Sequence, residues 1–170
     1  MIGWCGTAAG WLGFEDDESL CKAITETTGI PATTSVLSLN KALRIFEVKR
    51  LGLVTPYTAD IQQKIMENYG AVGVEITTDT QRHHGVSDNE SIAAITTDKL
   101  ASYVEEVVAG GVDAVSPFCT NLCTSTRAEE WEGKYGVPVL DTITTVVWDM
   151  LKIVGVDTSG LRGWGKIFQV

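Results

Sequence analysis

From residue 49 onward the sequence alternates between short, mainly apolar runs and longer amphipathic ones, and this rhythm limits the fold more than any other feature. The runs KRLGLVT (49–55), AVGVEIT (71–77), DAVSPF (113–118) and VPVL (137–140) are too short for buried helices. They also lack the in–out alternation of a strand with one wet face. Between and after them, Ala59 to Tyr69, Thr97 to Ala109, Thr126 to Tyr135 and Thr142 to Val154 repeat their apolar residues at helical spacing. In the clearest case Leu100, Tyr103, Val104 and Val107 share one side, and Gly110-Gly111 ends the helix. Thr126 and Glu129 read as a capping box at the start of their helix. Strands apolar on both faces, each followed by a helix, predict an α/β fold with parallel sheets flanked by helices.

The first 48 residues carry a weaker version of the pattern. Ile2-Gly3-Trp4-Cys5-Gly6-Thr7 reads as the end of a strand running into a glycine-rich loop. Glu15 to Thr28 is a helix with acidic residues in its first turn, where the helix dipole favours them, and Gly29 and Pro31 stop it. Leu37 to Phe46 is a second helix, with Leu39, Ala42, Leu43 and Phe46 on one face. Asp79 to Ser87 reads as a polar loop, Asn89 to Ile95 as a short helix, and 160–170 as a glycine-rich tail.

Net charge is −9, with no Lys/Arg cluster, so a nucleic-acid partner is not expected. A small anionic substrate remains compatible, because the local field of a site can oppose the global charge. The N-terminus lacks a basic region followed by an apolar run, and no apolar stretch approaches the roughly 20 residues that span a bilayer. No membrane partner and a cytoplasmic location are expected. Nucleotide and metal chemistry find little support. Gly3, Gly6, Gly10 and Gly13 do not form GxGxxG, and no phosphate-loop motif is present. His83 and His84 are adjacent, so their side chains diverge, and no metal site is expected.

Ligands of open α/β sheets sit at the carboxyl ends of the strands. The residues there are Cys5-Gly6-Thr7, Thr55-Pro56-Tyr57, Thr77-Thr78-Asp79 and Cys119-Thr120-Asn121. Two of the four cysteines fall at these points. Backbone N–H groups and a helix dipole favour a thiolate there, and the same N–H groups can hold a carboxylate without a charged side chain. Two thiols facing each other suit proton transfer or addition at a carbon beside a carboxylate. The alternative is that both are small apolar fillers where strands meet helices. Cys21 lies on the apolar face of a helix and reads as core, and Cys123 fits either role. Asp79 and Asp141 read as helix caps that could also orient a thiol partner.

The segments GLVTPYTADI (52–61), GVSDNESIAAITTDKL (85–100), AVSPFCTNL (114–122), GVPVLDT (136–142) and LRGWGKIF (161–168) resemble the aspartate/glutamate racemase superfamily, in its maleate isomerase and arylmalonate decarboxylase branch. The resemblance implies two pseudo-symmetric Rossmann-like lobes with the active site between them, and chemistry without a cofactor. It implies that Cys119 is the second-lobe catalytic cysteine and that Tyr57 binds a substrate carboxylate. Backbone groups of Thr120 and Asn121 complete that pocket, and Gly6 and Thr7 form the first-lobe carboxylate loop. Cys5 falls on the first-lobe catalytic position when aligned without gaps back from Thr28-Gly29. Aligned on Gly6-Thr7, glycine takes that position, as in the decarboxylases.

The family has a strand–helix–strand–helix unit before this loop that is absent here, so the first lobe is expected to be incomplete. The implied division is 1–47 as a first-lobe remnant, 48–141 as the second lobe, and 142–170 as a helix and tail returning to the first. The implied activity is a cysteine-dependent isomerase acting on a small dicarboxylate. The alternatives are a decarboxylase using Cys119 alone, an aspartate/glutamate-type racemase, or an inactive carboxylate-binding fragment. The resemblance and the exposed apolar edge it implies leave room for a homo-oligomer.

Overall fold

A computed structural model describes residues 1–170. It contains two parallel sheets. Strands β1 (Ile2–Trp4) and β2 (Ala32–Thr34) form the first, and β3 (Leu51–Thr55), β4 (Gln81–His83) and β5 (Ala114–Pro117) form the second in the order β4-β3-β5. Helices α1 (Ala9–Leu12) and α2 (Phe14–Thr28) cross from β1 to β2, and α3 (Ser35–Ile45) leads to the second sheet. There α4 (Ala59–Ala71), α5 (Asn89–Ala93) and α6 (Thr97–Ala109) connect the strands, and α7 (Ala128–Tyr135) follows β5. Helix α8 (Thr142–Ile153) then packs on α3 and the first sheet. No helix is long and apolar enough to cross a membrane.

All five residues of β3 are buried, as expected of a central strand covered on both faces. One side of the core joins Leu51 and Leu53 to Leu39, Leu43, Tyr69, Phe118 and Trp148, and so ties the second sheet to α3 and α8, the helices that pack on the first. The other joins Val54 and Val115 to Leu100, Val104, Val107 and Trp131 under α6 and α7.

Several elements differ from the sequence expectation. In the run 71–77 only Glu75 pairs, bridging Arg50, and the edge strand is instead Gln81–His83, inside the expected polar loop. Gly73 at φ +83° turns the chain, and a 3-10 turn at Thr78–Thr80, capped reciprocally by Thr77 and Thr80, re-aims it. Val74 and Ile76 owe their apolar character to burial, not to ladder pairing. VPVL contributes a single bridge, Val139 to Val115. The Thr126–Glu129 box does not form: α7 begins at Ala128, with Arg127 at its N-cap and no side-chain cap.

Asp141 caps α8, as expected. Its Oδ1 accepts from the N–H groups of Ile143 (2.8 Å) and Thr144 (3.1 Å), and its Oδ2 accepts from the Thr124 hydroxyl. One turn from the other end, Asp149 accepts from Thr33 (2.5 Å), Ser38 (3.0 Å) and Lys41 (2.6 Å), fastening α8 to β2 and α3. Asp141→Ala removes a cap and leaves buried donors unpaired, so it is expected to lower unfolding free energy by about 1–3 kcal/mol in a denaturant titration. Burial raises the Asp141 carboxyl above its ordinary value despite its three donors. The folded chain therefore holds this proton to higher pH than the unfolded chain does. This group's contribution to stability falls as pH rises from its unfolded value through its raised folded value, and Asp141→Asn should remove that slope.

Candidate active site

The carboxyl ends of β1, β3 and β5 lead into loops that meet where the two sheets adjoin. Thr7 lies in the loop from β1, just ahead of α1. Tyr57 leaves β3 ahead of α4. Cys119 follows β5 by two residues. The approach is close because Gly10 has no side chain: a Cβ there would lie 2.4 Å from Cζ of Phe118, the residue before Cys119. From α4, Asn68 Nδ2 donates to the Gly10 carbonyl at 3.0 Å and fixes α1 in place.

At this junction the Thr7 and Tyr57 hydroxyls are hydrogen-bonded at 2.7 Å. Thr7 and Cys119 are both buried, each about 5% exposed. Trp11 stands edge-on to the Tyr57 ring, with centroids 4.9 Å apart and planes at 63°. Burial pushes the Tyr57 hydroxyl well above its ordinary range, and the adjacent Cys119 thiol pushes it further, partly offset by the Thr7 bond. Tyr57 therefore remains a neutral hydroxyl and a potential donor.

A cleft of about 350 Å³ opens here, with Cys119, Thr120 and Asn121 on one side and Tyr57, Thr58 and Trp11 on another. Val86, Ser87, Asn89 and Ile92 close it from the loop before α5 and from α5 itself. None of these lining residues carries a charge. Leu122 N–H turns back to the Cys119 carbonyl at 3.2 Å, while the N–H groups of Thr120 and Asn121 donate to no group of the protein. Asn121 Nδ2 donates to Asn89 Oδ1 at 2.8 Å, leaving an amide pair on the cleft wall. Free N–H groups, hydroxyls and amides beside a buried thiol can bind a carboxylate and place its neighbouring carbon near sulfur. A larger open groove of about 1120 Å³ lies between α2, α3 and the end of α4, but it contains none of the strand-end residues and no thiol.

The structure thus gathers Thr7, Tyr57, Cys119, Thr120 and Asn121. Cys5 is exposed and does not line the cleft, and Gly6 packs against the Trp4 indole. Asp79 lies in the 3-10 turn before β4, away from the cleft lining. Sequence reasoning named neither Trp11 nor Asn89 as a site residue. Trp11 carried a usable signal, one turn after Thr7 on the same loop–helix. Asn89 carried none, since it joins the cleft wall through its tertiary bond to Asn121.

The family model described as arylmalonate decarboxylase matches residues 3–168, and the chain belongs to that family. An arylmalonate decarboxylase of Bordetella bronchiseptica is 26% identical over 172 residues, covering 99% of this chain and 71% of that protein. A maleate isomerase of Alcaligenes faecalis is 27% identical over 130 residues, covering 76% of this chain and 51% of that protein. The chain therefore spans between about half and seven-tenths of the length of these relatives. Among solved structures, the maleate isomerase of Pseudomonas putida S16 with maleate shares the fold at a TM-score of 0.86 and 22% identity, over 98% of this chain and 68% of that one. An arylmalonate decarboxylase matches at 0.84 and 24%, over 98% and 74%.

The raised Tyr57 hydroxyl, together with the fully buried Tyr69, generates a spectroscopic prediction. In an alkaline absorbance titration neither should form phenolate before the protein unfolds. The Tyr57→Phe/Tyr69→Phe variant should match the parent chain up to that pH. A smaller phenolate signal in the variant below the unfolding pH would contradict the buried geometry.

Proposed function

We propose that this chain is a cofactor-independent, cysteine-dependent isomerase of a small cis-dicarboxylate such as maleate. The observation that carries the reading is the uncharged cleft lined by the Cys119 thiol together with two polar groups, the Tyr57 hydroxyl bonded to Thr7 and the Asn89–Asn121 amide pair. Two such groups suit a substrate with two carboxylates. Several relatives are maleate isomerases, and a related isomerase of Nocardia farcinica has been solved with a covalently bound succinylcysteine intermediate.

In this reading Tyr57, Thr7 and the N–H groups of Thr120 and Asn121 hold one carboxylate. The Cys5 thiolate adds to one alkene carbon, forming a C–S bond. The displaced π pair moves onto the neighbouring carboxylate as an enediolate, which Cys119 can protonate at carbon. The former double bond is now single and rotates. Cys119 removes the same proton, the double bond reforms as trans, and the C–S bond breaks to return the Cys5 thiolate. Nothing is consumed, and no cofactor is needed. Residues 1–47 and 142–170 then act as one lobe and 48–141 as the other. For Cys5 to take part, its thiol must turn inward from its exposed position while Thr7 stays on Tyr57.

That exposure favours a second reading, a decarboxylase in which Cys119 alone protonates the enediolate left when a malonate loses carbon dioxide. It agrees with the name of the family model. In either reading a cytoplasmic location suits the four free thiols. Self-association is also part of the proposal, because β1 pairs on one edge only and Trp4 is 53% exposed.

Proton NMR of the chain in deuterated buffer with maleate, phenylmalonate and aspartate separates the readings. Fumarate formation that is lost in both Cys5→Ala and Cys119→Ala supports the isomerase. Loss of carbon dioxide with deuterium at the α-carbon, abolished by Cys119→Ala alone, supports the decarboxylase. Full turnover in both variants overturns any thiol mechanism. Light scattering should show an oligomer that Trp4→Ser weakens, and a monodisperse monomer would remove that part of the proposal.

A further inference from the structure

Trp11 supplies no reacting group in either reading, yet the structure gives it a defined relation to Tyr57. The segment from Thr7 through α1 grips Tyr57 twice. The Thr7 hydroxyl holds the Tyr57 oxygen, and the Trp11 indole stands against the Tyr57 ring. The segment is itself locked at Gly10, by Asn68 on one side and the Phe118 ring on the other. Trp11 is half-buried and borders the cleft. Without it, the Tyr57 ring would have a free side and could turn its hydroxyl away from Thr7 and the cleft.

We propose that Trp11 is a positioning residue that works through Tyr57: its edge-on contact keeps the Tyr57 hydroxyl on Thr7, in the cleft that Cys119 lines. The inference rests on the carboxylate-processing reading for its catalytic consequence but not for its geometry. An edge-to-face aromatic pair is worth enough to change an equilibrium or rate about three- to tenfold.

The test combines Trp11→Ala, Trp11→Phe and Tyr57→Phe with two readouts. The first is kcat/KM on whichever substrate the parent chain converts. Trp11→Ala should lower it about three- to tenfold, and Trp11→Phe, which keeps a ring edge, should recover most of the loss. In a Tyr57→Phe background Trp11→Ala should add little, because the hydroxyl it positions is gone. The second readout needs no turnover: iodoacetamide labelling of Cys119, followed by peptide mass mapping. Trp11→Ala should speed it about three- to tenfold in the parent background and leave it nearly unchanged with Tyr57→Phe. Full additivity in either readout overturns the inference, because it would make Trp11 a plain wall of the cleft. If the parent chain converts no substrate while labelling follows the predicted pattern, the functional reading fails and the positioning role stands. If turnover is present but labelling is insensitive to Trp11, the reverse holds.

Discussion

The site depends on two loop systems from different sheets being close enough to share one hydroxyl pair. That closeness comes from Gly10, where any side chain would collide with Phe118. Phe118 is fully buried and stands edge-on to Tyr69, so it cannot move aside cheaply. The Thr7–Tyr57 bond follows from this contact, and so does the position of Cys119, one residue beyond Phe118. Bulk at Gly10 would thus act on the chemistry without touching it.

The surrounding structure holds this junction from behind. Helix α8 is tied at its start by Asp141 and near its far end by Asp149, and the latter gathers Thr33, Ser38 and Lys41 onto one carboxylate oxygen. The tail is secured by buried Glu132, which accepts from the N–H groups of Val139 (2.9 Å) and Lys166 (2.7 Å) and so holds Ile167 and Phe168 in the core. The polar interior is therefore concentrated where chain-distant segments must meet. The cleft itself contains no charge, which leaves a bound carboxylate to be balanced by dipoles and hydroxyls alone.

The sequence revealed those parts of the fold that depend on local periodicity. The amphipathic helix Thr97–Ala109 and the buried strand Leu51–Thr55 were legible because one face or both must be apolar. Strand Gln81–His83 was not, because its side chains are half-exposed and polar and its pairing with Val54 is a tertiary fact. Strand Ala32–Thr34 was hidden by its length and by two threonines whose hydroxyls meet partners on α2 and α8. At the site, position after a strand was enough to pick out Tyr57, Thr7 and Cys119. It was not enough for Cys5, which leaves β1 in the same way yet faces outward, nor for Asn89, which joins the cleft through Asn121.

The account turns on a carboxylate binding beside Cys119. The most direct measurement is a carbon-13 NMR titration of the chain, labelled at cysteine Cβ, with malonate. The account predicts a saturable shift of the Cys119 resonance, with Cys21 unmoved in α2, away from the cleft lining. A Cys119 resonance that stays fixed while malonate binds elsewhere, or does not bind at all, would contradict it.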